Sequence, residues 1–196
     1  MRSRRLLSRG RTTGIAGALV AVLLTGCAAH QYRQVSCAVS RQNIFVLEAQ
    51  AVPSATLIPC MGDLSVGWTY AGSDVRYGLV RFWFDSDRAG RHAIEVTMTS
   101  ACDVSAATEI PLEHPPPGLR RYEESAARDP SATITYFVFP GGCVTHRFSF
   151  TRQAWPGLYE DADRALGFTP RSLYVNGLRQ DSGLTLCGAG APPCPG

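Results

Sequence analysis

No lysine occurs in this chain of 196 residues: all 19 basic residues are arginine, the bias that GC-rich coding produces. Cys-x-x-Cys is also missing, so neither a zinc knuckle nor a thioredoxin-type redox pair is indicated. Gly-x-Ser-x-Gly, His-Glu-x-x-His, glycine-rich phosphate loops and paired-carboxylate signatures are all absent. A triad can still assemble from distant positions, so these absences weaken the case for an enzyme without removing it. On this reading no catalytic residue, no metal ligand and no cofactor is assigned. No run is long enough to span a bilayer: a spanning helix needs ~20 apolar residues. The uncharged, mostly apolar stretch Thr12 to Gly26 has only 15.

That short stretch sits behind a positive head. Arg2, Arg4, Arg5, Arg9 and Arg11 precede it with no acidic residue among them. A basic head, a short apolar middle and small residues at the end make an export signal. Ser3-Arg4-Arg5-Leu6-Leu7 loosely resembles a twin-arginine signal, and both the general and the twin-arginine routes stay open. Removing the five signal arginines leaves 14 Arg against 16 Asp and Glu, a balance of −2 for the remaining chain. A mildly acidic domain with scattered arginines lacks the electrostatic footprint of a nucleic-acid binder.

The apolar run ends on the tetrad Leu24-Thr25-Gly26-Cys27. It resembles the lipobox of bacterial lipoprotein precursors: aliphatic, small, Gly or Ala, then the acceptor cysteine. The plainer alternative is an ordinary secretory signal cut near Ala28-Ala29. The resemblance implies a diacylglyceryl group on the Cys27 thiol, cleavage before it, and residence on the extracytoplasmic face of the cell membrane. Each buried methylene contributes about 0.8 kcal/mol, and two acyl chains anchor stably where one holds only marginally. The stretches "VLEAQAVPSA" and "FVFPGGCVTHRF" also resemble segments of uncharacterised actinobacterial lipoproteins, a likeness that carries no activity.

The expected organisation is a signal peptide over 1–26, a lipidated tether over 27–36, a globular domain over 37–186 and a Cys/Pro/Gly-rich tail over 187–196. The tether's polar residues Ala28 to Ser36 would reach at most ~30 Å when extended. Setting Cys27 aside leaves six cysteines, an even number that suggests disulfides in an oxidising compartment. Cys102 with Cys143 is the favoured pair, since each flanks a strongly patterned strand. Cys37–Cys60 and Cys187–Cys194 are expected as local staples.

Alternation sets the fold class. Val80, Phe82 and Phe84 fall on one side of a strand, with Leu79, Arg81, Trp83 and Asp85 opposite. Ile94, Val96 and Met98 repeat the pattern after a polar turn. "ATITYFVF" and "CVTHRFSF" around Pro140-Gly141-Gly142 predict a second hairpin, and Leu64 to Ala71 is expected to join the same sheet. "NIFVLEAQAVPSA" fits either a helix or a buried strand. "WPGLYEDADRALGF" predicts a helix with Leu158, Ala162, Ala165 and Leu166 inward and Glu160, Asp161, Asp163 and Arg164 outward. Thr169-Pro170 resembles an N-cap and N1 pair opening a second helix that Gly183 ends. "LTLC" suggests a short final strand. The expected fold is α+β: a mostly antiparallel sheet of five to seven strands with two C-terminal helices on one face.

Candidate sites are few. Asp85-x-Asp87-x-x-Gly90 matches part of a calcium loop, but Ala89 and Val96 stand where ligands are needed, so a hairpin turn is expected. His92 and Glu95, three apart on a strand, should face opposite ways. His146 shares the apolar side with Phe148 and Phe150, which suggests a core histidine bonded to a carbonyl rather than a base. Arg81, Trp83 and Arg147 could grip a glycan or acidic polymer if they share an exposed face; the plainer expectation covers Trp83 with the C-terminal helices. The function these readings favour is a non-catalytic binding or interaction module of the cell envelope. Its partners would be the membrane through the lipid, a cell-wall polymer or an envelope protein. The alternative is an envelope hydrolase with a site assembled from dispersed Ser, His and Asp residues around His146.

Overall fold

The computed structural model describes residues 30–31, 43–124 and 130–194. The signal peptide, Cys27, Cys37 and residues 32–36 lie outside them. In chain order the elements are β1 (His30–Gln31), α1 (Asn43–Ala51), β2 (Leu57–Met61), β3 (Trp68–Arg76), β4 (Leu79–Ser86) and β5 (Gly90–Thr99). There follow β6 (Ala107–Ile110), β7 (Leu112–Glu113), β8 (Arg120–Glu124), β9 (Thr133–Phe139), β10 (Gly142–Phe148), α2 (Pro156–Ala165), β11 (Leu166–Pro170) and α3 (Arg171–Ser182).

Period-two alternation builds the main sheet. Seven antiparallel strands run in the order β3-β4-β5-β10-β9-β8-β6, which meets the expected α+β class and strand number. Phe82, Val96, Val144 and Phe137 fall on one side because register pairs Phe82 with Val96 and Val144 with Phe137. Ala49 of α1 and Val52 just after it, Leu158 and Tyr159 of α2, Phe168 of β11 and Tyr174 of α3 complete a single core with that face. Full burial of one such large apolar side chain contributes about 1.5–3 kcal/mol. β11 pairs antiparallel with β2 to make a second, two-stranded sheet. Its Phe168 ring lies 5.2 Å from that of Phe137 on the main sheet.

Several local expectations change. The ambiguous stretch at Asn43 is a helix, α1, which Pro53 follows. Thr169 is a strand residue paired with Ile58, and Pro170 rather than Thr169 occupies the N-cap of α3. The pull is tertiary: β2 recruits Leu166–Pro170 as its partner before the helix can begin. Gly183 ends α3 as expected, at φ 70° with its N–H on the Arg179 carbonyl. Leu184 to Cys187 forms no strand. Asp163 of α2 faces inward, not outward, because a buried arginine on β8 meets it there.

The tail is held, and so are His30 and Gln31. Cys102–Cys143 and Cys187–Cys194, two of the three expected disulfides, form with Cα–Cα separations of 5.7 and 4.6 Å. Cys60 is disulfide-bonded as well, and its expected partner Cys37 lies outside the described residues. The last turn of α1 has no basic residue of its own. Arg171 of α3 supplies one: its guanidinium donates to the Ala49 carbonyl and to those of Cys187 and Ala189 in the tail. Ala189 donates in turn to the Pro53 carbonyl, so residues 187–194 are docked rather than loose. In the tether, β1 pairs in parallel with β7, placing an ordered contact three residues beyond Cys27.

Candidate ligand cavity

Helix α1 is apolar almost all round, so its sequence does not announce which side faces inward. Packing on the sheet decides it, and Phe45 and Glu48, three residues apart, face the same space. Cys60 and Met61 of β2 close one side of that space. Tyr70 of β3 with Phe82 and Phe84 of β4 supply the other. Between these walls a cavity of about 430 Å³ is left. Volumes of roughly 300–1,000 Å³ with mostly apolar walls are typical of small-molecule sites.

The walls are aromatic and the floor holds one acid. The Tyr70 and Phe84 rings, a cross-strand pair, sit 5.6 Å apart edge to face, and Phe82 and Phe84 sit 6.3 Å apart at 85°. Phe82 and Cys60 are buried, while Tyr70 is 54% exposed at the rim. Glu48 is only 3% exposed, and its Oε2 has no hydrogen-bond partner. Burial away from water pushes its carboxyl up to about 8. Near neutral pH this group is therefore protonated, a single hydrogen-bond donor among hydrocarbon rings.

Sequence reasoning passed over Glu48. Its alternatives for the segment placed Phe45, Val46, Ala49 and Val52 on one helical face and gave the acid no role. The available signal was a lone carboxylate in the run "IFVLEAQA", where a solvent-facing helix would carry several charges.

The residues singled out from the sequence are placed as follows. Arg81, Trp83 and Arg147 do share the face of the sheet opposite the helices. Trp83 pairs with Glu95, which pairs with Arg147. Trp83 is not covered by the C-terminal helices, because they pack on the Phe82 side of β4. Its Nε1 donates to His92 Nδ1 at 2.9 Å. Arg81 lies 3.6 Å from Glu95, so acidic and basic groups alternate across this face.

His92 and Glu95 do not face opposite ways as the spacing implied. A bulge between Phe84 and Ser86 and a left-handed His92 (φ 48°) bring the His92 ring onto the Trp83 side. Among the described residues, no group of three or more His, Cys, Asp and Glu could hold a metal ion. Asp85 accepts from the His92 backbone N–H and Asp87 pairs with Arg88, as a hairpin turn requires.

His146 lies at the centre of the core with no exposed surface, its ring 4.3 Å from that of Phe148. Neither ring nitrogen has a hydrogen-bond partner, contrary to the expected carbonyl bond. A cleft holding His146 beside a carboxylate and a hydroxyl, as the hydrolase reading needs, is not formed. Burial holds its pKa down to about 4; the Asp163 carboxylate opposes that shift and the Arg121 cation adds to it. An unfolded chain binds this proton near pH 6.5, so the stability it contributes is present above that pH and lost as pH falls towards 4. His146→Phe should therefore flatten the acid limb of stability against pH between 6.5 and 4, by about 3 kcal/mol. Denaturant titrations of both proteins across that window measure it, and parallel curves would refute it.

No helix among the described residues is long and apolar enough to cross a membrane. Comparison with family models, with curated proteins and with solved structures found no match to this chain.

Proposed function

We propose that this protein is a lipid-anchored binding module of the extracytoplasmic membrane face, and that it holds a small, largely apolar ligand of the envelope between α1 and the β3–β4 edge. The anchor rests on the tetrad Leu24-Thr25-Gly26-Cys27 behind a basic head and a short apolar run. The ligand reading is carried by one observation: the cavity of about 430 Å³ whose aromatic walls meet a buried, unpartnered acid. A buried polar group without a partner costs roughly 1–3 kcal/mol. A cavity next to it is what a ligand would fill.

Both halves can be tested separately. In the native host, Cys27→Ser should abolish labelling by a palmitate analogue and move the protein out of the membrane fraction. Membrane partition equal to that of the parent would refute the anchor. For the cavity, the full-length protein should bind N-phenyl-1-naphthylamine, a neutral apolar fluorophore, saturably and at one site. Met61→Trp, which fills the space, should weaken that binding at least tenfold. Unchanged binding would move the site elsewhere.

A further inference from the structure

We propose that the ligand of this cavity is an organic cation, an apolar body carrying one positively charged nitrogen, with the Glu48 carboxylate as its counter-ion and the rings of Phe45, Tyr70, Phe82 and Phe84 around it. The proposal rests on the reading of the cavity as a ligand site. It follows from what lines the space and from what does not.

Among the described residues, Glu48 is the one acid that lines the cavity, and no basic side chain lines it. The faces of aromatic rings are electronegative, so they attract a cation and repel an anion. An anionic ligand would meet four such rings and a carboxyl with no compensating charge. A purely hydrocarbon ligand would leave the Glu48 Oε2 as unpartnered as it is now. A cationic nitrogen satisfies the rings and the ionised acid together. One carboxyl implies one charge on the ligand, and the apolar remainder of the walls implies a hydrophobic body.

The other polar groups near Glu48 do not compete for the role. Tyr174 of α3 is its charged-state neighbour, and burial raises that phenol above its ordinary value. Tyr70 of β3 reaches the cavity as a second phenol. Cys60 of β2 is in a disulfide and does not titrate. Arg171 of α3 is committed to three backbone carbonyls. Glu48 is thus the group whose ionisation a bound cation would change near neutral pH.

That coupling gives the test a sign. With the empty-site carboxyl at about 8, an ammonium must drive off a proton to pair with it at lower pH. The probes are a matched pair, trimethyl(naphthylmethyl)ammonium, whose charge is fixed, and neutral naphthylmethanol. Titrated into the full-length protein, the ammonium should gain about tenfold in affinity per pH unit from 6 to 8 and level off above. At pH 9 it should bind at least tenfold more tightly than the neutral twin. Glu48→Gln should erase both the pH dependence and the ammonium's advantage. A third arm, competition by vesicles containing an amine-headed lipid, separates a lipid headgroup from a free amine as the source of that nitrogen. Equal, pH-independent binding of the two probes would overturn the cation and leave the apolar cavity standing. Saturable binding of neither would overturn both.

Discussion

Asp163→Ala is expected to lower the free energy of unfolding by about 3–5 kcal/mol, the range measured when one member of a buried ion pair is removed. Asp163 and Arg121 are each only 2% exposed at their side chains, and Nη1 of the arginine donates to Oδ2 at 2.9 Å. Burial disfavours the Arg121 cation, yet Asp163, Tyr159 and Glu123 together hold its pKa above the ordinary value. It stays charged whatever replaces the aspartate. The same guanidinium reaches Tyr159 Oη at 3.0 Å and Glu123 Oε1 at 2.9 Å. Arg152 joins through Glu123 and lies over the Tyr159 ring at 4.3 Å. The remaining acid, Glu123, is nearer the surface and cannot restore the lost pairing. Replacing the whole pair, Arg121→Met with Asp163→Leu, should recover most of the loss, because hydrophobic isosteres of buried pairs are often neutral or better. Guanidinium denaturation at pH 7 decides the matter. A loss below 1 kcal/mol for Asp163→Ala would show the pair to be dispensable.

The second large effect concerns covalent closure. Cys102 and Cys143 are 41 residues apart in sequence, and Cys187 and Cys194 only 7. In the loop-entropy account, the longer loop is worth about 4 kcal/mol and the shorter about 2. Cys102→Ala with Cys143→Ala should therefore destabilise the protein roughly twice as much as Cys187→Ala with Cys194→Ala. Each pair is read by denaturant unfolding under non-reducing conditions. Equal losses would show that local packing outweighs loop length. Cys143 has no exposed surface and sits on β10 opposite Thr99 and Val138, so its bridge ties the Asp103 loop to the centre of the sheet.

What could be read in the sequence, and what could not, divides along physical lines. Strands whose inward side is purely apolar, such as Val80-Phe82-Phe84 and Ile94-Val96-Met98, declared themselves by alternation. β8 reads "RRYEE" and hid, because its inward residue is Arg121 and pattern reasoning expects hydrocarbon there. β2 reads "LIPCM", buried along almost its whole length and interrupted by Pro59, so no period survives. β11 was read as a helix boundary because Thr169-Pro170 is good capping chemistry; only a partner 109 residues away makes Phe168 opposite Pro59 a strand. Cys102–Cys143 followed from its position beside patterned strands, and Cys187–Cys194 from closeness in sequence. The cavity was illegible for a different reason. It is a place where cover is missing, and no local run of residues encodes a gap between a helix and a sheet edge. Whether Arg81, Trp83 and Arg147 share a face was left open, with a covered Trp83 expected; they do share one, opposite the helices. Glu95 between them, set by register, was beyond reach.

The Arg171 clamp has a bearing on biogenesis. The carbonyl it satisfies belongs to Ala49, 122 positions earlier, and among the described residues β2 joins one strand, β11, which ends just before Arg171. In a chain emerging N-terminus first, α1 can meet β3 and β4 early, but the Ala49 carbonyl and the edge of β2 wait for residues 166–171. Closure of that N-terminal layer is therefore a late step, taken only once the C-terminal segment is present.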